Sequence, residues 1–208
     1  MFCFRTKKIK TQSKISESEA SELVEDRIKF KLFSADQHYD KLVQYQQEEG
    51  TDFLKTFVSR IRFEDELECL LAHLIGARDA LLMRIRDKLG LPLKDNEVCL
   101  SNINRELKST KYPRLLCEMS CVSHGGFWLD LLNQLRNTGI HRRIIPIKKG
   151  ITIYENLNNH TTTTSPWKIT FTFEDGQTLE LLPYLKDSMQ KMKDLIERIL
   201  QKENILHT

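Results

Sequence analysis

Long hydrophobic runs are missing from this chain: no stretch approaches the ~20 apolar residues that a membrane-spanning helix needs. The apolar start Met1–Phe4 is too short for the core of an export signal. Cysteine is scarce too. Cys3, Cys69, Cys99, Cys117 and Cys121 make an odd number scattered through helical patterns. A disulfide-stapled scaffold is therefore excluded, and reduced thiols in a cytoplasmic protein are expected. A large excess of one charge is also absent. With 32 basic and 29 acidic side chains the net charge is +3, too little to coat nucleic acid indiscriminately. Any such binding must come from local patches. Finally, the chain has no P-loop, dinucleotide fingerprint, H-E-x-x-H or G-x-S-x-G, which removes the commonest nucleotide, zinc-protease and serine-hydrolase templates.

What remains is ordinary globular material: 208 residues, 40% hydrophobic and 29% charged, enough to bury a core without staples. Residues 1–15 read as a flexible basic tail, and 16–208 as a single domain. The S-x-x-E pattern at Ser16 opens a helix that ends before Gly50. Phe53–Leu89 is the longest periodic element, stopped by Gly90 and Pro92. A helix of that length must pack against several others or break near Gly76. Asn96–Lys111 predicts a shorter helix, Arg114–His124 is ambiguous, and Phe127–His141 is helical again. After Pro146, Ile151–Tyr154 and Trp167–Phe173 alternate like strands, Glu174–Gln177 is a turn, and Thr178–Leu182 returns. Asn156–Ser165, with its four threonines, reads as a polar loop, and Pro183 opens a last amphipathic helix. The expected fold is mainly α: an antiparallel helical bundle with a small β-hairpin inserted before the C-terminal helix.

Within that plan one tract carries chemistry, Leu131–Arg143, read as LLNQLRNTGIHRR. With Arg136 at zero, Asn133, Asn137 and His141 fall near ~60°, ~100° and ~140° on a helix advancing ~100° per residue. Asp130 and Gln134 fall near ~120° and ~160°, while Leu135, Trp128 and Leu132 lie opposite, between ~260° and ~320°. Leu129, near ~20°, is the apolar exception. An ordinary solvated face is filled with Glu and Lys. This stripe instead holds amides, a permanent cation and an imidazole that titrates near neutrality. His141, Arg142, Arg143, Lys148 and Lys149 make the adjoining basic patch, a candidate for phosphate contact. The competing reading is a helix C-terminus that favours Arg and His through its dipole.

Arg136-Asn137-x-x-x-His141, behind an apolar helix in a helical chain of this size, resembles the signature of the HEPN superfamily. That signature is an Arg followed by four to six residues and a His, often with Asn, Asp or His directly after the Arg. The resemblance covers the helical portion, about 16–145 plus the last helix, and not the inserted hairpin. It implies an HEPN-like bundle acting as a metal-independent endoribonuclease without a cofactor, in a toxin or defence role. Arg136 and His141 are then catalytic, with Asn137 supporting them. Two such motifs face each other across a homodimer, RNA is the substrate, and a neutralising antitoxin is a further partner. Some toxins of the superfamily carry a modifiable Tyr two positions after the His; here that position is Arg143, so this control is not implied. Other members bind without cutting, which leaves open a helical module that holds nucleotide, RNA or a partner protein.

The other candidates are weaker. Cys117-x3-Cys121-x2-His124 lacks zinc-knuckle spacing, and isolated helical cysteines are usually small buried hydrophobes. Trp167 beside Phe171 and Phe173 suits base stacking or packing of the hairpin equally. Arg78-Asp79, amid Leu, Ile and Ala, reads as two surface charges rather than a pair reaching the motif helix.

Overall fold

The computed structural model describes residues 25–47, 57–108, 127–141, 147–150, 153–156, 161–164, 168–172 and 178–205. Among them are five α-helices: α1 (Arg27–Gln47), α2 (Phe57–Leu89), α3 (Leu100–Leu107), α4 (Phe127–His141) and α5 (Leu181–Ile205). Five short strands lie between α4 and α5: β1 (Ile147–Gly150), β2 (Ile153–Asn156), β3 (Thr161–Thr164), β4 (Lys168–Thr172) and β5 (Thr178–Glu180).

The helices form because their apolar residues recur in alternating steps of four and three. On α1 these are Ile28, Leu32, Ala35, Tyr39 and Leu42; on α2 they are Phe63, Leu67, Leu70, Leu74, Ala77 and Leu81. That spacing keeps one seam on a neighbour over many turns, as in coiled-coil packing. The two helices run antiparallel, since Asp26 lies against Arg84 while Lys41 lies against Glu66. Asp26 also caps α1, its Oδ1 accepting from the backbone N–H of Ile28 at 2.9 Å and Lys29 at 3.2 Å.

Helix α2 runs unbroken through Gly76 for 33 residues. A Cβ at Gly76 would sit 3.2 Å from Cε of Lys31, so the missing side chain makes room for that aliphatic stem. Gly90, at φ +59°, then ends the helix. The N–H of Gly90 donates to Asp87 O and that of Leu91 to Arg86 O, the paired bonds of a Schellman cap. The expected helix 96–111 is shorter than its pattern. A 3₁₀ turn occupies Asp95–Glu97 and α3 begins after the extended Cys99. Residues 1–24, 48–56 and 109–126 lie outside the described residues, and with them the Ser16 start and the Arg114–His124 stretch.

The sheet departs from the single hairpin expected. β4 and β5 pair antiparallel as foreseen, and β1 adds on the other side of β4, with Ile147 opposite Phe171 and Gly150 opposite Lys168. The threonine run is not a loop. It forms β3 and pairs with β2, Ile153 opposite Thr164. A β-branched Thr run suits a pleated ladder even without apolar alternation, which is why polarity alone misleads there. Ile169 is buried and Leu179 packs on the same core, so the β4–β5 hairpin covers α5. Helix α5 opens at Leu181, two residues before Pro183, whose missing N–H falls in a first turn that does not need it.

One polar cluster is built into the α1–α2 seam. His38 Nδ1 lies 2.6 Å from Glu66 Oε2, and Lys41 Nζ donates to both oxygens of Glu66. The His38 ring stacks on His73 at 5.3 Å, and Phe30 meets His73 edge-on. Burial opposes ionisation of Glu66, but the bonds from His38 and Lys41 outweigh it and keep its carboxyl below the usual value. Nδ1 of His73 is buried without a hydrogen-bond partner among the described residues. Burial first, then the charges of Lys31, His38 and Arg27, lower its pKa from 6.5 to about 4. Between those two values the unfolded chain binds a proton that the folded one refuses, so acid favours unfolding. Urea midpoints should therefore be flat above pH 6.5 and fall toward pH 4, and His73→Phe should flatten that fall. Equal slopes for the two proteins would show that His73 does not set it.

Candidate functional site

Helix α4 spans Phe127–His141, the bounds read from the sequence. It buries Leu129, Leu132 and Leu135 against α2 and α5. Leu129 is thus part of the buried arc rather than an exception to it. The arc runs from ~260° through ~320° to ~20° on the helical wheel, so Arg136 falls inside its edge and Asn133 on its margin. Both side chains are half-buried, while Asp130 and Gln134, farther round, are exposed. The side chains of Asn137 and His141 lie outside the described residues, but their positions on the wheel fall between those two exposed residues and Asn133.

The Nε of Arg136 is buried and has no hydrogen-bond partner among the described residues. A buried donor left unmade costs about 1–3 kcal/mol. A guanidinium at the edge of an apolar interface has the donor geometry to grip an anion.

Beside it stands a second cation that reading the sequence misjudged. Leu71, Ile75, Leu82 and Ile85 form a second buried stripe on α2, again with steps of four and three, and Arg78 occupies its central position. Its side chain is 19% exposed. Nε and Nη2 donate to Asp79 Oδ1 at 2.9 and 2.7 Å, and Nη1 donates to Asn133 Oδ1 on α4 at 3.2 Å. The pair is therefore not two surface charges; Arg78 reaches the motif helix. A cation in a leucine position is costly unless its hydrogen bonds are made, and these partners make them. The signal was the phase: Arg78 interrupts an otherwise apolar seam.

The start of α4 is held separately. Tyr184 of α5 donates its hydroxyl proton to the Trp128 carbonyl at 2.7 Å. Burial, with help from Asp187, pushes the Tyr184 phenol up to about 12. The hydroxyl stays a donor throughout the neutral range.

Of the remaining candidates, Lys148 and Lys149 lie on β1 opposite Thr170 and Ile169, and consecutive strand positions belong to opposite faces of the sheet. Arg142, Arg143, Trp167, Cys117, Cys121 and His124 lie outside the described residues. Among the described residues no three His, Cys, Asp or Glu side chains are grouped to hold a metal, and no helix is long and apolar enough to cross a membrane. Compared with family models, curated proteins and solved structures, the chain matches none.

Tyr184→Phe should lower stability by about 1 kcal/mol in urea unfolding, the typical net worth of one such bond. A variant as stable as the wild type would show that this contact does not fasten α4.

Proposed function

We propose that this chain is a metal-independent endoribonuclease of the HEPN type, with an HEPN-like bundle and a composite site formed by two copies. The observation that carries the reading is Arg136, whose buried Nε has no partner among the described residues, on the same unbroken helix as Asn137 and His141. Cleavage by attack of a ribose 2′-OH needs a base for that hydroxyl, an acid for the 5′ oxygen, and a cation over the phosphorane. His141 fills a proton-transfer role and Arg136 the cationic one, with Asn137 orienting the imidazole or a phosphate oxygen. One chain brings one motif histidine, so a second copy supplies the other half of the acid–base pair. Arg142 and Arg143, with whichever of Lys148 and Lys149 shares their side of the sheet, extend the phosphate contact. A nuclease of this kind in the cytoplasm is toxic unless restrained, which fits a toxin or defence role with a neutralising protein partner.

Purified protein should cut single-stranded RNA in excess EDTA, leaving 2′,3′-cyclic phosphate and 5′-OH ends. His141→Ala should lose roughly 10²–10⁴-fold in rate, the usual contribution of a general acid or base. Intact RNA with the wild type, or equal cleavage by His141→Ala, would overturn the nuclease. Retained RNA binding without cleavage would leave a non-catalytic binding module.

A further inference from the structure

The contact between Arg78 and Asn133 assigns a role that the R-x4-H motif does not contain. An arginine side chain has donors only, so the Asn133 atom facing Nη1 must be its carbonyl oxygen Oδ1. The bond therefore fixes which way the amide is turned. Its NH2 group is thereby turned away from Arg78. Asn133 precedes Arg136 by three residues and Asn137 by four, the spacings at which helical side chains are neighbours. The amide therefore shares a helix face with Arg136, whose buried Nε has no partner among the described residues. The donors at this spot are Asn133 NH2 and Arg136 N–H, those of Arg78 being engaged by Asp79 and Asn133. Of the nearby acids, Asp79 is engaged by Arg78 and Asp130 is exposed.

We propose that Asn133 is a substrate-binding residue whose amide donates to a phosphate oxygen of an RNA strand, and that Arg78 is its positioning residue. The proposal rests on the reading of α4 as the RNA-facing helix. It also explains why α2 carries a cation where its seam calls for leucine. Arg78 holds an amide in one orientation, and an apolar residue there would leave that amide free to flip.

The test separates holding from contact. Asn133→Asp keeps an acceptor for Arg78, converting the bond to an ion pair, but removes the donors and turns a negative charge toward the phosphate. Binding is measured by fluorescence anisotropy with a 2′-O-methyl oligoribonucleotide, which lacks the nucleophile and cannot be cut. Asn133→Asp should raise Kd by about tenfold or more with an unchanged or higher Tm, as expected for loss of a charged-group hydrogen bond. Arg78→Met should weaken binding in the wild-type background and add little in the Asn133→Asp background, because the two act as a unit. A purely structural Arg78 would weaken binding by the same factor in both. Should Arg78→Met fail to fold, Asn133→Asp alone decides. Wild-type Kd in that variant, or no binding by the wild type, overturns the proposal. A wild type that binds this strand through Asn133 but never cuts unmodified RNA overturns the nuclease and leaves the contact standing.

Discussion

Burial of helix α2 is the constraint on which the described structure turns. Its 33 residues would span about 50 Å at 1.5 Å per residue, and in proteins most of a helix's stability comes from tertiary packing of its apolar faces. It persists because it has two buried stripes rather than one. Phe63, Leu67, Leu70, Leu74, Ala77 and Leu81 make the first, and α1 lies antiparallel to α2 along its length. Leu71, Ile75, Leu82 and Ile85 make the second, and Arg78 within it meets α4. Each fully buried large aliphatic side chain contributes about 1.5–3 kcal/mol relative to exposure, so either stripe outweighs any single polar contact in the fold. The sheet and α5 then complete the core through Ile169, Leu179 and the heptad-like series Leu181, Leu185, Met192, Leu195 and Ile199.

Two polar clusters interrupt these seams, and their chemistry separates them. Between α1 and α2, Glu66 receives His38 and Lys41 and closes its own circuit. A phosphate arriving there meets a carboxylate already held ionised. Between α2 and α4, the single carboxylate engaged is Asp79, 53% exposed and turned to Arg78, while Arg136 has no counter-ion among the described residues. In the second cluster the Nε of Arg136 is buried without a partner among the described residues, and in such a partly dry setting an ion pair is worth more than in water.

Where a residue's role is decided by its own helix, the sequence disclosed it. Phe127–His141 appears with the bounds read from its pattern, and α2 ends at the Gly90 stop. The β4–β5 hairpin was visible through its turn. Where the deciding partner lies far along the chain, local reading failed. Arg78 finds Asn133 fifty-five residues away, and no pattern within α2 names that partner. Thr161–Thr164 becomes a strand because Ile153–Asn156 pairs with it, a fact outside the four threonines themselves. Leu129 looked out of place on the polar side of α4 until the buried arc proved to include that angle. The same shift moves Arg136 from the rim of a solvated stripe to the edge of an interface.

That shift bears on how two copies can make one site. In a two-fold arrangement the same surface meets itself, so any rotation of α4 in one chain is repeated in the other. A displacement of the motif helix is thereby doubled across the shared centre, and productive geometry tolerates about 0.5 Å. Such a site demands that α4 be fixed both near its start and at mid-length. The Trp128 carbonyl is tied to α5 through Tyr184, and Asn133 to α2 through Arg78, one on each neighbouring helix. Two anchors on different helices add directional restraints on rotation about the axis to those of the close-packed apolar arc. The polar contacts that dilute the core here are thus placed where a composite site would need them most.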